Sequence, residues 1–86
     1  QDGDTEGFVN YPLSIKGINI SVIFMETDDS VKISFRSKGD IPINQMARDF
    51  FSGGGHINAA GGRTYDSLTI AIEKFKRELP AFYKSL

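Results

Sequence analysis

Ser52-Gly53-Gly54-Gly55-His56-Ile57-Asn58-Ala59-Ala60-Gly61-Gly62-Arg63 sets the only histidine of this chain directly after three glycines and before a run of very small side chains. Successive glycines cost a folded chain more backbone entropy than other residues, so they are kept where the backbone takes unusual dihedrals or meets a ligand closely. Without β-carbons, a phosphate can come near the main chain. An imidazole beside it can donate to a phosphate oxygen, and a guanidinium such as Arg36 can grip one bidentately. The amide of Asn58 offers a donor and an acceptor, and Ala59 and Ala60 leave room for a base or sugar. Together these residue types describe a phosphate site. A plainer reading stands beside it, in which Gly53 caps a helix, Gly54 and Gly55 make a turn, and His56 is an ordinary imidazole.

Other chemistry finds less support. The pattern G-x-x-x-x-G-K-[ST] is absent, and the third glycine of G-x-G-x-x-G would fall on Asn58. His56 has no nucleophile and orienting acid nominated beside it for a triad. With no cysteine and one histidine, neither a disulfide framework nor a Cys/His zinc site can be assembled.

The elements that must hold the glycine window can be read from periodicity. Ile18, Ile20, Val22 and Phe24 alternate with Asn19, Ser21, Ile23 and Met25, which predicts a strand over 18–26. After the turn chemistry of Thr27-Asp28-Asp29-Ser30, Val31, Ile33 and Phe35 alternate with Lys32, Ser34 and Arg36, giving a hairpin partner. The same alternation gathers Lys32, Ser34 and Arg36 on one polar, cationic ledge, with Ser37, Lys38 and Gly39 at the strand end. Ile43, Met46, Ala47 and Phe50 repeat at helical spacing, with Asn44 as N-cap or in the first turn, so a helix is expected over 43–51. A short helical turn is expected to start near His56, which would make Gly53 to His56 a loop feeding a helix N-terminus that favours an anion. Arg63-Thr64-Tyr65 reads as a third strand. Asp66 or Ser67 then caps a last helix whose stripe of Leu68, Ala71, Ile72, Phe75, Leu79 and Phe82 faces the core; Pro80 should bend or end it, and Lys74, Lys76, Arg77 and Lys84 form its wet side. Phe8 to Leu13, punctuated by Pro12 and Gly17, is read as a short helical turn.

The expected fold is therefore α/β of the α+β kind: a small mixed β-sheet with a hairpin, packed by a central helix and a long C-terminal helix. The 86 residues suit one domain, here 7–86, with an acidic, glycine-containing linker remnant over 1–6. Seven phenylalanines and many aliphatic residues can supply the core. A net charge of −1 argues against a strongly basic nucleic-acid coat but leaves room for a local basic face. No apolar run approaches the ~18 residues of a membrane span, so a cytoplasmic protein with no membrane partner is expected.

Val31-Lys32-Ile33-Ser34-Phe35-Arg36-Ser37-Lys38, followed after a short helix by Phe51-Ser52-Gly53-Gly54-Gly55-His56-Ile57-Asn58-Ala59-Ala60-Gly61, resembles the DHH-associated C-terminal domain of the DHH phosphoesterase superfamily. The glycine–histidine window combined with the upstream Arg-Ser strand end is more specific than either half. Within the superfamily the pattern is most similar to two-domain oligoribonucleases that also dephosphorylate adenosine bisphosphate, a group related to exopolyphosphatases. RecJ-type exonucleases, cyclic-dinucleotide phosphodiesterases and alanyl-tRNA synthetases carry related domains. Ser52 stands where the family often has a further glycine.

The resemblance implies a division of labour. An N-terminal DHH catalytic domain in the same polypeptide would hold manganese and activate water, while this domain grips a short RNA or small nucleotide. By carry-over, Arg36 clamps a phosphate and Gly53, Gly54, Gly55 and His56 bind the phosphate near the scissile bond. Ser37, Lys38 and Asn58 follow as weaker contacts to phosphate, ribose or base. No metal ligand set and no catalytic residue is assigned to this chain, which is expected to be inert alone. The alternative is a nucleic-acid or tRNA-binding module without a hydrolase, as in a synthetase appendage; a purely structural or dimerising domain is the third reading.

Overall fold

The computed structural model describes residues 7–15 and 17–86; the linker expected over 1–6 lies outside the described residues. In chain order the elements are β1 (Gly7–Ile15), β2 (Ile18–Glu26), β3 (Val31–Ser37), α1 (Asn44–Phe50), β4 (Gly54–His56), β5 (Ala59–Thr64) and α2 (Leu68–Lys84). The strands form one sheet in the order β1-β2-β3-β5-β4. Each of its pairings is antiparallel, so the expected α+β fold, hairpin and two helices are present and the sheet is uniform in pairing sense.

Alternation along the strands decides which face is covered. Ile20, Val22 and Phe24 of β2, Val31, Ile33 and Phe35 of β3 and Ala60 of β5 are buried. Onto them pack Ile43, Met46, Ala47 and Phe51 from the α1 region and Ala71, Phe75, Leu79 and Phe82 from α2. Phe75 is the centre of this layer, edge-on to Tyr11 at 5.6 Å and to Phe24 at 5.9 Å between ring centroids. Such edge-to-face contacts add to the burial itself. Phe35 and Phe51 meet at 5.6 Å and tie β3 to the segment just ahead of the glycines. The opposite face of the sheet carries no helix among the described elements.

Several expectations change. Phe8 to Leu13 is strand, not helical turn: β1 pairs with β2 from Gly7↔Glu26 to Ile15↔Ile18. Pro12 is tolerated because β1 is an edge strand, where a missing backbone N–H breaks no interior ladder. The short helical turn near His56 is absent; β4 and β5 form a hairpin there, with Ile57-Asn58 between the paired His56 and Ala59. Strand β5 accordingly begins at Ala59, earlier than Arg63, and ends before Tyr65. Helix α1 starts at Asn44 with Ile43 as N-cap and no side-chain cap bond, so Asn44 takes the first-turn role.

Helix α2 is capped as expected, the Ser67 Oγ accepting from Ile70 N–H. It runs through Pro80 to Lys84 and does not end there. Buried Leu79 and Phe82 anchor the turn on either side of the proline, and Ser85 closes it by donating from Oγ to the Phe82 carbonyl at 2.7 Å. Lys74 is not wholly on the wet side, since its ammonium lies 5.1 Å from the centre of the Phe51 ring.

Candidate functional site

The glycine window is a strand edge. Strand β4 is the last in the sheet and pairs with β5 at Gly54↔Gly61, Gly55↔Ala60 and His56↔Ala59. The helix-N-terminus argument for an anion therefore does not apply at His56. Cross-strand register takes its place. Opposed residues in an antiparallel pair project to the same face. Arg36 is opposite Ala59, and Ala59 is opposite His56. Arg36 and His56 thus stand in one row on the helix-free face, with only the methyl of Ala59 between them. Strand spacing sets their Cα atoms roughly 10 Å apart. Both side chains are exposed. One guanidinium N–H of Arg36 donates to the Phe35 carbonyl at 2.9 Å, which leaves most of its five donors for another partner.

On the other side of Arg36, the same row continues through Ser21 to Pro12. A hollow of about 470 Å³ opens here, lined by Pro12, Leu13, Ser14, Asn19, Ile20, Ser21, Arg36, Ser37 and Lys38. Arg36 is the hinge of the arrangement, facing His56 on one side and this hollow on the other. The structure brings Arg36, Ser37 and Lys38 together around the hollow, while His56 and the glycines lie across Ala59 from it. Asn19, Ser21 and Pro12 were not singled out from sequence; the strand alternation that placed Ser21 opposite the core already held that information, but the partner strand carrying Pro12 did not.

Ser37 and Asn58 hold the frame. The Asn58 amide donates to the Ser37 Oγ at 3.0 Å and to the Gly39 carbonyl at 3.0 Å, the Ser37 Oγ donates to the Ile41 carbonyl at 2.6 Å, and the Ser37 N–H donates to the Asn58 carbonyl at 3.0 Å. These bonds tie the β4–β5 turn to the end of β3, and so fix His56 relative to Arg36. The Asn58 amide nitrogen is thereby engaged within the protein, and its Oδ1 is what remains for a ligand. Replacing Asn58 by Ala is expected to lower stability by about 1–2 kcal/mol, read from the urea midpoint at unchanged slope, because half-buried partners lose their donor.

The three glycines have different reasons. A β-carbon at Gly53 would fall on the Gly61 carbonyl oxygen and lie 2.6 Å from the Gly62 Cα, so the fold itself requires glycine there. Gly55 has φ +145, a region side chains avoid. At Gly54 a β-carbon would meet nothing within 4 Å, and its φ is not positive. Ser52 occupies the left-handed region at φ 52, the conformation in which a further glycine would be unstrained.

Among the described residues, no group of three His, Cys, Asp or Glu side chains is placed to hold a metal ion. The resemblance would place manganese in the N-terminal catalytic domain and asks for no metal ligands here. No helix among the described residues is long and apolar enough to cross a membrane.

A small antiparallel sheet covered by two helices on one face, with a glycine–histidine edge strand beside an arginine on the other, defines an α+β domain. The chain belongs to the DHHA1 domain family, which it matches over residues 1–85. It is 46% identical over 52 residues to the bifunctional oligoribonuclease and PAP phosphatase NrnA of Bacillus subtilis, covering 60% of this chain and 16% of that protein. The protein of the same name from Thermus thermophilus is 34% identical over 58 residues, covering 67% of this chain and 18% of the relative. Among solved structures, an exopolyphosphatase-related protein from Bacteroides fragilis superposes with a TM-score of 0.72 at 40% identity, covering 80% of this chain and 20% of that one. The chain thus spans about a fifth or less of the length of these relatives.

Proposed function

We propose that this domain binds the phosphate-bearing end of a short oligoribonucleotide or small nucleotide and presents it to a DHH-type phosphoesterase domain of the same polypeptide. The observation that carries the reading is the single cross-strand row in which Arg36 and His56 flank Ala59 on the helix-free face. A phosphate seated over Ala59 would meet a bidentate guanidinium on one side and an imidazole donor on the other. The exposed backbone at Gly54 and the Asn58 Oδ1 lie in the same hairpin, and the hollow beside Arg36, with Ser37 and Lys38 on its wall, is large enough to receive a sugar or base. The names of the relatives, an oligoribonuclease and phosphatase, support a hydrolase context over a synthetase appendage. Manganese and the attacking water belong to the partner domain in this reading, so this chain binds but does not cleave.

The test is an NMR titration of the chain with a 5′-phosphorylated oligoribonucleotide and, separately, with adenosine bisphosphate. Shifts are expected at the amides of Arg36, Gly54 and His56 and at the His56 ring, and the oligoribonucleotide stays intact when manganese is added. Silence at those positions at millimolar ligand sinks the reading for this chain, and cleavage would move catalysis into it.

A further inference from the structure

The helix-free face holds a second cationic row that the phosphate site does not use. Lys32 and Arg63 are directly opposed across β3 and β5, both exposed. Like charges in directly opposed positions cost a sheet stability. No Asp or Glu stands on this face of the described strands to offset them. The same row runs through Met25 to Phe8, which is 61% exposed.

Between this row and the Arg36–His56 row lies one other, Ser34–Gly61–Gly54. Its two glycines face each other with no packing reason for either. A β-carbon at Gly54 would meet nothing within 4 Å, one at Gly61 only the Ile33 carbonyl oxygen at an ordinary 3.7 Å, and neither φ is positive. Glycine inside a strand weakens it, and where the fold gives no cause, close approach of another molecule is the remaining one. The floor between the two cationic rows is bare backbone. Lys32 and Arg36 are four steps apart along β3, about 13 Å, and side chains standing perpendicular to the sheet present their charges that far apart.

The geometry points to a track for a single RNA strand: one phosphate at Arg36 and His56, the backbone crossing over Gly54 and Gly61, a further phosphate at Lys32 and Arg63, and a base against Phe8. A polyanion is the occupant that the unbroken positive charge selects, and the exposed aromatic selects one carrying bases. This rests on the reading of Arg36 and His56 as a phosphate site and extends it to a preference for chain length.

The experiment compares binding of a 5′-phosphorylated dinucleotide and hexanucleotide, both RNA, to the chain across a salt series. The hexanucleotide is expected to bind about tenfold more tightly. The Lys32→Ala/Arg63→Ala variant removes that advantage and lowers the salt slope for the hexanucleotide by about 1.4. A charge-matched Lys76→Ala/Arg77→Ala control on α2 keeps the advantage. Phe8→Ala weakens the hexanucleotide several-fold and leaves inorganic polyphosphate of equal charge unaffected. No length advantage in the parent chain, an advantage that survives Lys32→Ala/Arg63→Ala, or an equal effect of the α2 control overturns the track. An equal response of RNA and polyphosphate to Phe8→Ala overturns RNA as its occupant. Unchanged dinucleotide affinity in Arg36→Ala instead overturns the phosphate site on which the track rests.

Discussion

Gly53→Ala is expected to destabilise the domain by on the order of 3–5 kcal/mol, the upper end for a single substitution, whereas Gly54→Ala, one residue away, leaves stability within about 0.5 kcal/mol or raises it slightly. The difference is geometric. The new methyl at Gly53 would strike the Gly61 carbonyl oxygen and crowd the Gly62 Cα, both backbone atoms of β5 that cannot step aside without breaking pairing with β3. The Gly53 N–H also donates to the Ala47 carbonyl at 2.9 Å, so the residue is fixed from the helix side as well. At Gly54 there is open space and an ordinary backbone, so alanine only reduces the freedom of the unfolded chain. For a domain of this size a loss of that order consumes a large part of the folding free energy. Urea melts of the two variants measure it. If both lose stability alike, the crowding at Gly53 is not what fixes that glycine; if neither does, β4 is not held against β5 as described.

That contrast also shows what the sequence could and could not convey. Strands β2 and β3 were legible because their core face is built from Ile, Val and Phe in strict alternation with polar residues, so one pattern fixed both the element and the face on which Arg36 stands. Helix α2 was legible from its apolar stripe and Ser67. Strand β1 was not, although Val9, Tyr11 and Leu13 alternate just as regularly, because Pro12 reads as a break until its place on a sheet edge is known. The β4–β5 hairpin was hidden for a different reason. Its residues are glycines and alanines, which carry little strand preference, and Ala59-Ala60 after His56 favours a helical turn. What makes it a hairpin is non-local: β5 fills the slot beside β3, and Phe51 covers the joint. The resemblance to the DHH-associated domain named Arg36, the glycines and His56 as one set, and where a helix-dipole cradle is expected the structure has a row of register. Ser37 and Asn58 illustrate the gap. Carry-over from the family offers both as weaker ligand contacts, and only the fold reveals the mutual bonds between β3 and the hairpin turn. Arg63 reads from sequence only as part of a strand, because its neighbour across the sheet, Lys32, lies far from it in the chain.

Arg36→Ala should cost the parent chain roughly 10- to 100-fold in affinity for a 5′-phosphorylated oligoribonucleotide, the range of a lost charge-assisted pair of about 1.5–3 kcal/mol, with no matching loss of stability because the side chain is exposed. Arg36→Lys should recover only part of that, since an ammonium keeps the charge but not the planar fork. His56→Ala should cost less, one donor against two. The informative quantity is the double-mutant cycle. With only Ala59 between them, Arg36 and His56 are placed to hold the same phosphate, and two groups on one phosphate couple, by about 0.5–3 kcal/mol. Isothermal titration of the single and double variants gives the number. A coupling of this size means that the row grips one anion from both sides and that the methyl of Ala59 sets the gap. Additive losses mean that Arg36 turns instead to the hollow on its other side and holds a different group of the ligand there, with His56 acting alone at the sheet edge. Two null single variants, each with an intact melt, would leave the row as ordinary surface and remove the basis for a nucleotide site on this face.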